Sequence, residues 1–199
     1  MVWSRRPPRS AEERSEDGAK ARARALELLA GQELPSGVLY GRLCRSFTEQ
    51  AAAFAVAEMV EHGYLDDARY AEARAHSLLC ARKSRRAAAQ DLRQKGLTAQ
   101  QAQTALDAVY TAPDPDGESP ELAAAAALID SRYRTKLSTG RRDLVVAALL
   151  RRGFAYPVVR QAVARAEAAL DKAKVRAKKD AEKEREAKIA ALYAAAKKR

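Results

Sequence analysis

The sequence predicts an all-α fold: three tandem three-helix repeats in an elongated array, followed by a basic helical tail. Three observations predict it. Alanine, the best helix former, supplies 46 of the 199 residues, against 36 for Leu, Ile, Val and Phe together. Capping residues and glycines recur at helix-length intervals. No stretch alternates at the two-residue period of a strand. Such a chain favours helices that meet along thin seams of small side chains.

The elements follow in order. Residues 1–18 carry Pro7, Pro8 and balanced charges, and are expected to be a disordered leader. Helices are expected over 19–30, 37–45, 49–62, 67–82, 85–95 and 99–110. Ser36, Thr48, Asp66, Ser84 and Thr98 stand where a side chain can accept a bond from the first amides of a helix. Residues 111–119 are acidic and Pro-rich and read as a linker. Further helices are expected over 120–134, 141–152 and 157–170. Ser119 is positioned to cap the first of them, and Pro120 and Pro157 fit a first helical position. Gly63, Gly96 and Gly153 fit the left-handed residue that ends a helix. Neither Gly nor Pro follows Pro157, so the last helix can run on to 198.

The helices repeat. With an offset of 57, Leu92 meets Leu149 and Ala102, Ala105 and Leu106 meet Val159, Ala162 and Val163. With an offset of 50, Ala52, Ala55, Val56 and Met59 meet Ala102, Ala105, Leu106 and Val109. Steps of three, one and three mark one helix face. The units are 19–64, 65–110 and 120–170, with 171–199 as the tail. Units of about 50 residues have small cores, so neighbouring units are expected to pack on one another.

Composition narrows the function classes. Cys44 and Cys80 cannot build a disulfide framework. No apolar run approaches the roughly 18 residues of a membrane span, and the N-terminus has no apolar core of a secretory signal. A protein of a reducing cytoplasm that does not engage membranes is expected. The net charge of +11 points to a polyanionic partner.

Gly63-Tyr64-Leu65-Asp66-Asp67-Ala68-Arg69-Tyr70 resembles the GYLDD-x-R-[FY] signature of the RecX family, bacterial regulators of the RecA recombinase. Leu92-Arg93-Gln94-Lys95-Gly96-Leu97 resembles the family's EL-x-x-KG-[IL] run. Leu149-Leu150-Arg151-Arg152-Gly153-Phe154 resembles its L-x-R-RG-[FY] run, and Arg24 to Ala30 its opening helix. The similarity covers roughly 20–167. It implies tandem three-helix units, binding to the RecA–DNA filament with inhibition of its activities, and no enzymatic activity. The chain departs from the family at Lys83-Ser84-Arg85-Arg86, where many members have a Gly-rich turn. It departs again at Leu34 to Tyr40, and the 111–120 loop and the tail look like local additions.

The candidate binding residues are basic. Arg82, Lys83, Arg85 and Arg86 surround the start of one helix, and Arg93 and Lys95 close it. Arg132, Arg134, Lys136, Arg141, Arg142, Arg151 and Arg152 take similar places in the third unit. Cations on equivalent helices can track a phosphate backbone, with strong salt dependence. They can equally meet an acidic recombinase surface, or serve as a solvated face. Gly63, Tyr64, Leu65, Asp66, Asp67, Gly96 and Gly153 read as structural. Glycines end helices, Tyr64 and Leu65 plug the core, and Asp66 caps the helix whose first turn holds Asp67.

Cys44, His62, His76 and Cys80 are zinc-ligand types without zinc spacing, so no metal site is assigned, and both cysteines are expected to be small buried hydrophobes. No phosphate-binding or nucleophile motif occurs, so no catalytic residue or cofactor is assigned. Tyr40, Tyr70, Tyr110, Tyr133 and Tyr156 are expected to pack on cores or caps rather than stack on bases. The tail can grip DNA, pair with a partner helix, or stand as a solvated helix, with Glu184 and Lys188 a favourable pair.

The expected function is therefore that of a RecX-like regulator, acting as a monomer on a RecA filament containing single-stranded and possibly double-stranded DNA. One rival is a helix-turn-helix-like regulator that binds duplex promoters. A second is a small metal-dependent enzyme using Asp66, Asp67, His62 and His76.

Overall fold

The computed structural model describes residues 14–111 and 117–196, with side chains up to Ile189. The described residues are helical apart from turns and one isolated bridge between Ser15 and Phe47. The helices are α1 (Gly18–Gly31), α2 (Ser36–Leu43), α3 (Glu49–Glu61), α4 (Asp67–Cys80), α5 (Arg85–Gln94), α6 (Ala99–Tyr110), α7 (Pro120–Leu128), α8 (Arg134–Ser138), α9 (Arg142–Arg151) and α10 (Tyr156–Ala196). A π-helical segment, Ile129–Tyr133, joins α7 to α8. The helix expected over 120–134 is thus interrupted and extended to Ser138. A π turn leaves backbone bonds incomplete, and here the Ser131 hydroxyl donates to the Ala127 carbonyl.

The caps explain most boundaries. Thr48, Asp66, Ser84 and Thr98 each accept an amide bond from the first turn of the helix that follows. Thr98 and Gln101 do so reciprocally, as a capping box. Asp17 caps α1 by accepting from the Lys20 amide. The leader expected over 1–18 is therefore shorter at its end. Ser15 donates to the Ser46 carbonyl and accepts from the Thr48 amide; residues 1–13 lie outside the described residues, as does most of the 111–119 linker.

Ser36 is not a cap. Pro35 occupies that position without a side-chain bond, and Ser36 lies inside α2 with its amide and hydroxyl both bonded to Asp67. Pro157 stands one residue inside the start of α10, since Tyr156 opens the helix.

The ends of α3, α5, α8 and α9 follow one pattern. At Gly63, Gly96, Gly140 and Gly153 the backbone is left-handed, with φ between 72° and 87°. The next amide reaches back five residues, as from Leu97 to Leu92 and from Phe154 to Leu149. Leu92, Leu97, Leu149 and Phe154 are buried, so the turns at Gly96 and Gly153 pin the core across their own hydrogen bonds. Arg82 makes the same turn with φ 56°, and this ends α4 at Cys80, short of the expected 82. A side chain in that region costs about 1–2 kcal/mol that glycine avoids.

Three hydrophobic clusters form, one from α1 to α3, one from α4 to α6 and one from α7 to α10. The repeat positions reappear in them: Ala52, Ala55 and Met59, then Ala102, Ala105, Leu106 and Val109, then Val159, Ala162 and Val163, all buried. Tyr64 departs from expectation. It is 57% exposed and edge-on to His62, and Leu65 alone fills the core. Cys44 is half-buried and Cys80 exposed, which corrects the reading of both as buried hydrophobes. The chain divides into two compact units, one through Glu121 and one from Leu122 onward.

Within the first unit, the first two repeats join through short contacts. A Cβ on Gly37 would lie 2.9 Å from the Gly96 carbonyl oxygen. Asp67 accepts from the Ser36 amide at 2.8 Å, and Gln101 reaches the same carboxylate at 3.5 Å. Arg69 pairs with Glu33 at 2.7 Å. A methyl group at Gly37 must therefore push two backbones apart. Gly37→Ala is expected to destabilise the first unit by about 1–3 kcal/mol. Gly41→Ala, in the same helix but with nothing within 4 Å, should stabilise it by about 0.5–1 kcal/mol. Urea unfolding of the two variants reads the difference directly.

Candidate nucleic-acid and filament interface

The structure sorts the candidate cations by what they touch. On α5, the first-turn Arg85 is committed internally. Its guanidinium pairs with Asp107 and bonds the Thr111 hydroxyl, both from α6 or its end. Its amide donates to the buried Glu121 carboxylate at 2.9 Å. A carboxylate at this helix start suits the orphan amides and the dipole. Arg86 and Arg93 are seven residues apart and exposed on one side of α5, with Lys83 exposed just before it. None of these three forms an ion pair among the described residues. Lys95 is half-buried at the helix end, and the exposed Arg82 holds the left-handed turn.

The turn before α5 is built with care. Ser84 is fully buried and caps the helix. The buried Tyr110 donates its hydroxyl to the Lys83 carbonyl at 3.2 Å. Burial above all, with Glu121 nearby, pushes the Tyr110 phenol well above its ordinary value. Lys83 and Arg86 are thus displayed from a fixed backbone.

The second unit repeats the division. Arg142 aligns with Arg85 at the offset of 57, and it too pairs with an acid on the third helix of its repeat, Glu167 at 3.4 Å. Arg134 pairs with Asp130 at 2.8 Å. Lys136 lies over the Tyr133 ring, and Arg152 bonds the Tyr133 hydroxyl at 3.2 Å. Arg132, Arg141 and Arg151 are exposed without an ion pair among the described residues. An apolar cleft of about 330 Å³ lies beside the π segment, lined by alanines of α7 and α10 with Arg134 and Arg165 at its edge. Small side chains on both helices leave this space unfilled.

Three features escaped the sequence. Asp67 bridges two repeats rather than only favouring its own helix. Glu121 seats the start of α5 from 36 residues away. Arg74 on α4 grips Asp91 on α5 through two bonds of 2.8 and 2.9 Å. None has a local sequence signal, because each partner lies in a different helix.

Among the described residues no group of three or more His, Cys, Asp or Glu side chains could hold a metal ion. Cys44, His62, His76 and Cys80 do not come together in such a group; His76 faces Glu72 at 3.9 Å. No described helix is long and apolar enough to cross a membrane.

The family model described as RecX, second three-helix domain, matches residues 66–106, which run from the start of α4 through most of α6. The Regulatory protein RecX of Myxococcus xanthus (strain DK1622) is 34% identical over 119 residues, covering 54% of this chain and 58% of that protein. The match thus spans less than two thirds of the relative's length. A crystal structure of RecX from Lactobacillus salivarius superposes with a TM-score of 0.65 at 15% identity, covering 75% of this chain and 96% of the other. A second RecX crystal structure gives 0.60 at 23% identity over 71% and 70%. At those identities the structures show the fold. Family model and curated relative agree on the RecX likeness, and the solved structures share the all-α fold.

The Arg74 bonds hold the Asp91 carboxyl below its ordinary 3.8, and Arg85 does the same for Asp107. A carboxylate with a depressed folded pKa adds stability that is full above the unfolded value, about 3.9, and is lost as pH falls through the folded one. Acid unfolding followed by circular dichroism should therefore show a smaller further loss below about pH 4 in Asp91→Asn than in the parent, from a lower starting stability.

Proposed function

We propose that this RecX-like chain is a regulatory protein that binds the RecA–DNA filament and mainly inhibits recombinase activity in repair and recombination. It would do so by occupying filament surface, with no bond made or broken. The observation that carries the reading is a coincidence in one segment. Residues 66–106 match the RecX three-helix domain, and the same segment displays Lys83, Arg86 and Arg93 from a rigid turn and helix. Arg132, Arg141 and Arg151 offer a second set in the third repeat. Arg85, Arg134, Lys136, Arg142 and Arg152 are assigned to contacts inside their own repeats, which makes Arg85 a support for Arg86 rather than a contact.

The proposal also covers setting. A filament regulator of this kind would work in the cytoplasm as a monomer, with RecA and its DNA as partners. The exposed cations would meet phosphates or acidic recombinase surface. Either contact steers association and weakens with salt.

The decisive assay is the DNA-dependent ATPase of the host recombinase on single-stranded DNA, with this protein added well below one per recombinase. Inhibition is expected. No inhibition at any ratio, by a protein with its helicity intact, would overturn the proposal; a footprint on one promoter would then favour the transcriptional rival. Reversing Lys83 and Arg86 to Glu should raise the half-inhibitory concentration about tenfold, equivalent to roughly 1.4 kcal/mol, without changing helicity. Arg85→Gln should instead lower thermal stability.

A further inference from the structure

Helix α10 leaves the third cluster near Leu170 and continues as one helix to Ala196. Residues 171–189 are exposed throughout. At 100° per residue, Lys172, Arg176, Lys179 and Lys183 fall within about 60° of arc, one above another. Lys174, Lys178, Arg185 and Lys188 form a second row on the far side. Acids fill the flanks between the rows: Asp180 and Glu184 on one side, Asp171, Glu182 and Glu186 on the other.

The two rows differ. In the far row, Lys174 pairs with Asp171 at 3.4 Å and Lys188 with Glu184 at 2.7 Å. In the first row, none of the four cations has an ion pair among the described residues. Their spacings of four, three and four place like charges side by side, which weakens a helix. The far row keeps Lys178 and Arg185 without an ion pair among the described residues, so two of its four cations are paired against none in the first row. The row with no internal partner is the better suited to an external anion.

We infer that Lys172, Arg176, Lys179 and Lys183 form a binding site for the phosphate backbone of duplex DNA. Their Cα atoms span about 16 Å at 1.5 Å per residue. Duplex DNA presents one phosphate charge per about 1.7 Å of axis, and the backbones flank a major groove wide enough for a helix. The row carries no aromatic side chain, and stacking aromatics are what single strands require. Val175 is the one large apolar side chain between Leu170 and Ile189, so residues 171–188 of α10 carry no apolar face for lying in a membrane. This site needs no recombinase and stands apart from the filament reading.

The test is fluorescence anisotropy of the full chain with a labelled mixed-sequence duplex of about 30 base pairs, long enough for several contacts, without recombinase, across a salt series. The variant K172Q/R176Q/K179Q/K183Q should bind at least about tenfold more weakly in low salt, and its log–log salt slope should fall by about 3.6, or 0.9 for each lost phosphate contact. The variant K174Q/K178Q/R185Q/K188Q removes the same charge from the far row and should stay within about threefold of the parent. Circular dichroism should show that both keep the helix; K179Q alone, with a slope loss of about 0.9, serves should the quadruple variant fray. Equal losses from the two rows would overturn the site in favour of bulk charge. So would an unchanged slope in the first variant. The ATPase assay reads the filament proposal separately, so either can fail alone.

Discussion

Close approach between backbones is the condition on which the rest of this molecule stands. A core in which alanine is the commonest buried residue removes little apolar surface at each alanine. Helices must therefore come near enough for small groups to touch. Ala21 and Ala25 of α1 against Ala52 and Ala55 of α3 meet this condition inside a repeat, all fully buried. Gly37 against Gly96 meets it between repeats. Once two backbones are that close, polar groups on either side become neighbours. The Asp67 carboxylate then reaches the Ser36 amide and hydroxyl together with the Gln101 side chain. The same geometry explains why the helix ends are so regular. A turn that closes on its own buried side chain, as Leu97 and Phe154 do, fixes where the next helix starts.

Features set within a few residues were legible in the sequence. Glycine at a helix end, a threonine or aspartate at the next start, and a three-one-three pattern of small residues are local facts, and the structure contains them. Features set by a distant partner were not. Ser36 has the chemistry of a cap, and only the approach of Asp67, 31 residues away, decides otherwise. Arg85 reads as one more exposed cation until α6 brings Asp107 beside it. The π segment has no composition of its own, and Tyr64 and Leu65 look equally suited to the core until the turn at Gly63 orients them. The basic character of the candidate interface was thus readable, whereas its division into supports and displayed charges was not.

That division has a physical logic. The second and third repeats each spend the cation at the start of the middle helix on an acid of the third helix, Arg85 on Asp107 and Arg142 on Glu167. The ion pair crosses the repeat and orients the helix that carries the outward cations. Arg86 and Arg93 then project from a rod whose rotation is already set. Less side-chain and backbone freedom remains to be lost when a partner binds, and this favours contact at a given charge.

The continuity of α10 has a consequence for when its outer half is ordered. An isolated helix must first form a turn that fixes several residues for a single hydrogen bond, an unfavourable nucleus with a factor near 10⁻³. The outer residues never face that step, because Val159, Ala162 and Val163 have already been wound against the third cluster. Propagation alone carries the helix outward. Its helicity is therefore tied to the integrity of a core it does not touch: loosening Val159 or Val163 would withdraw the template, and the outer turns would unwind with it.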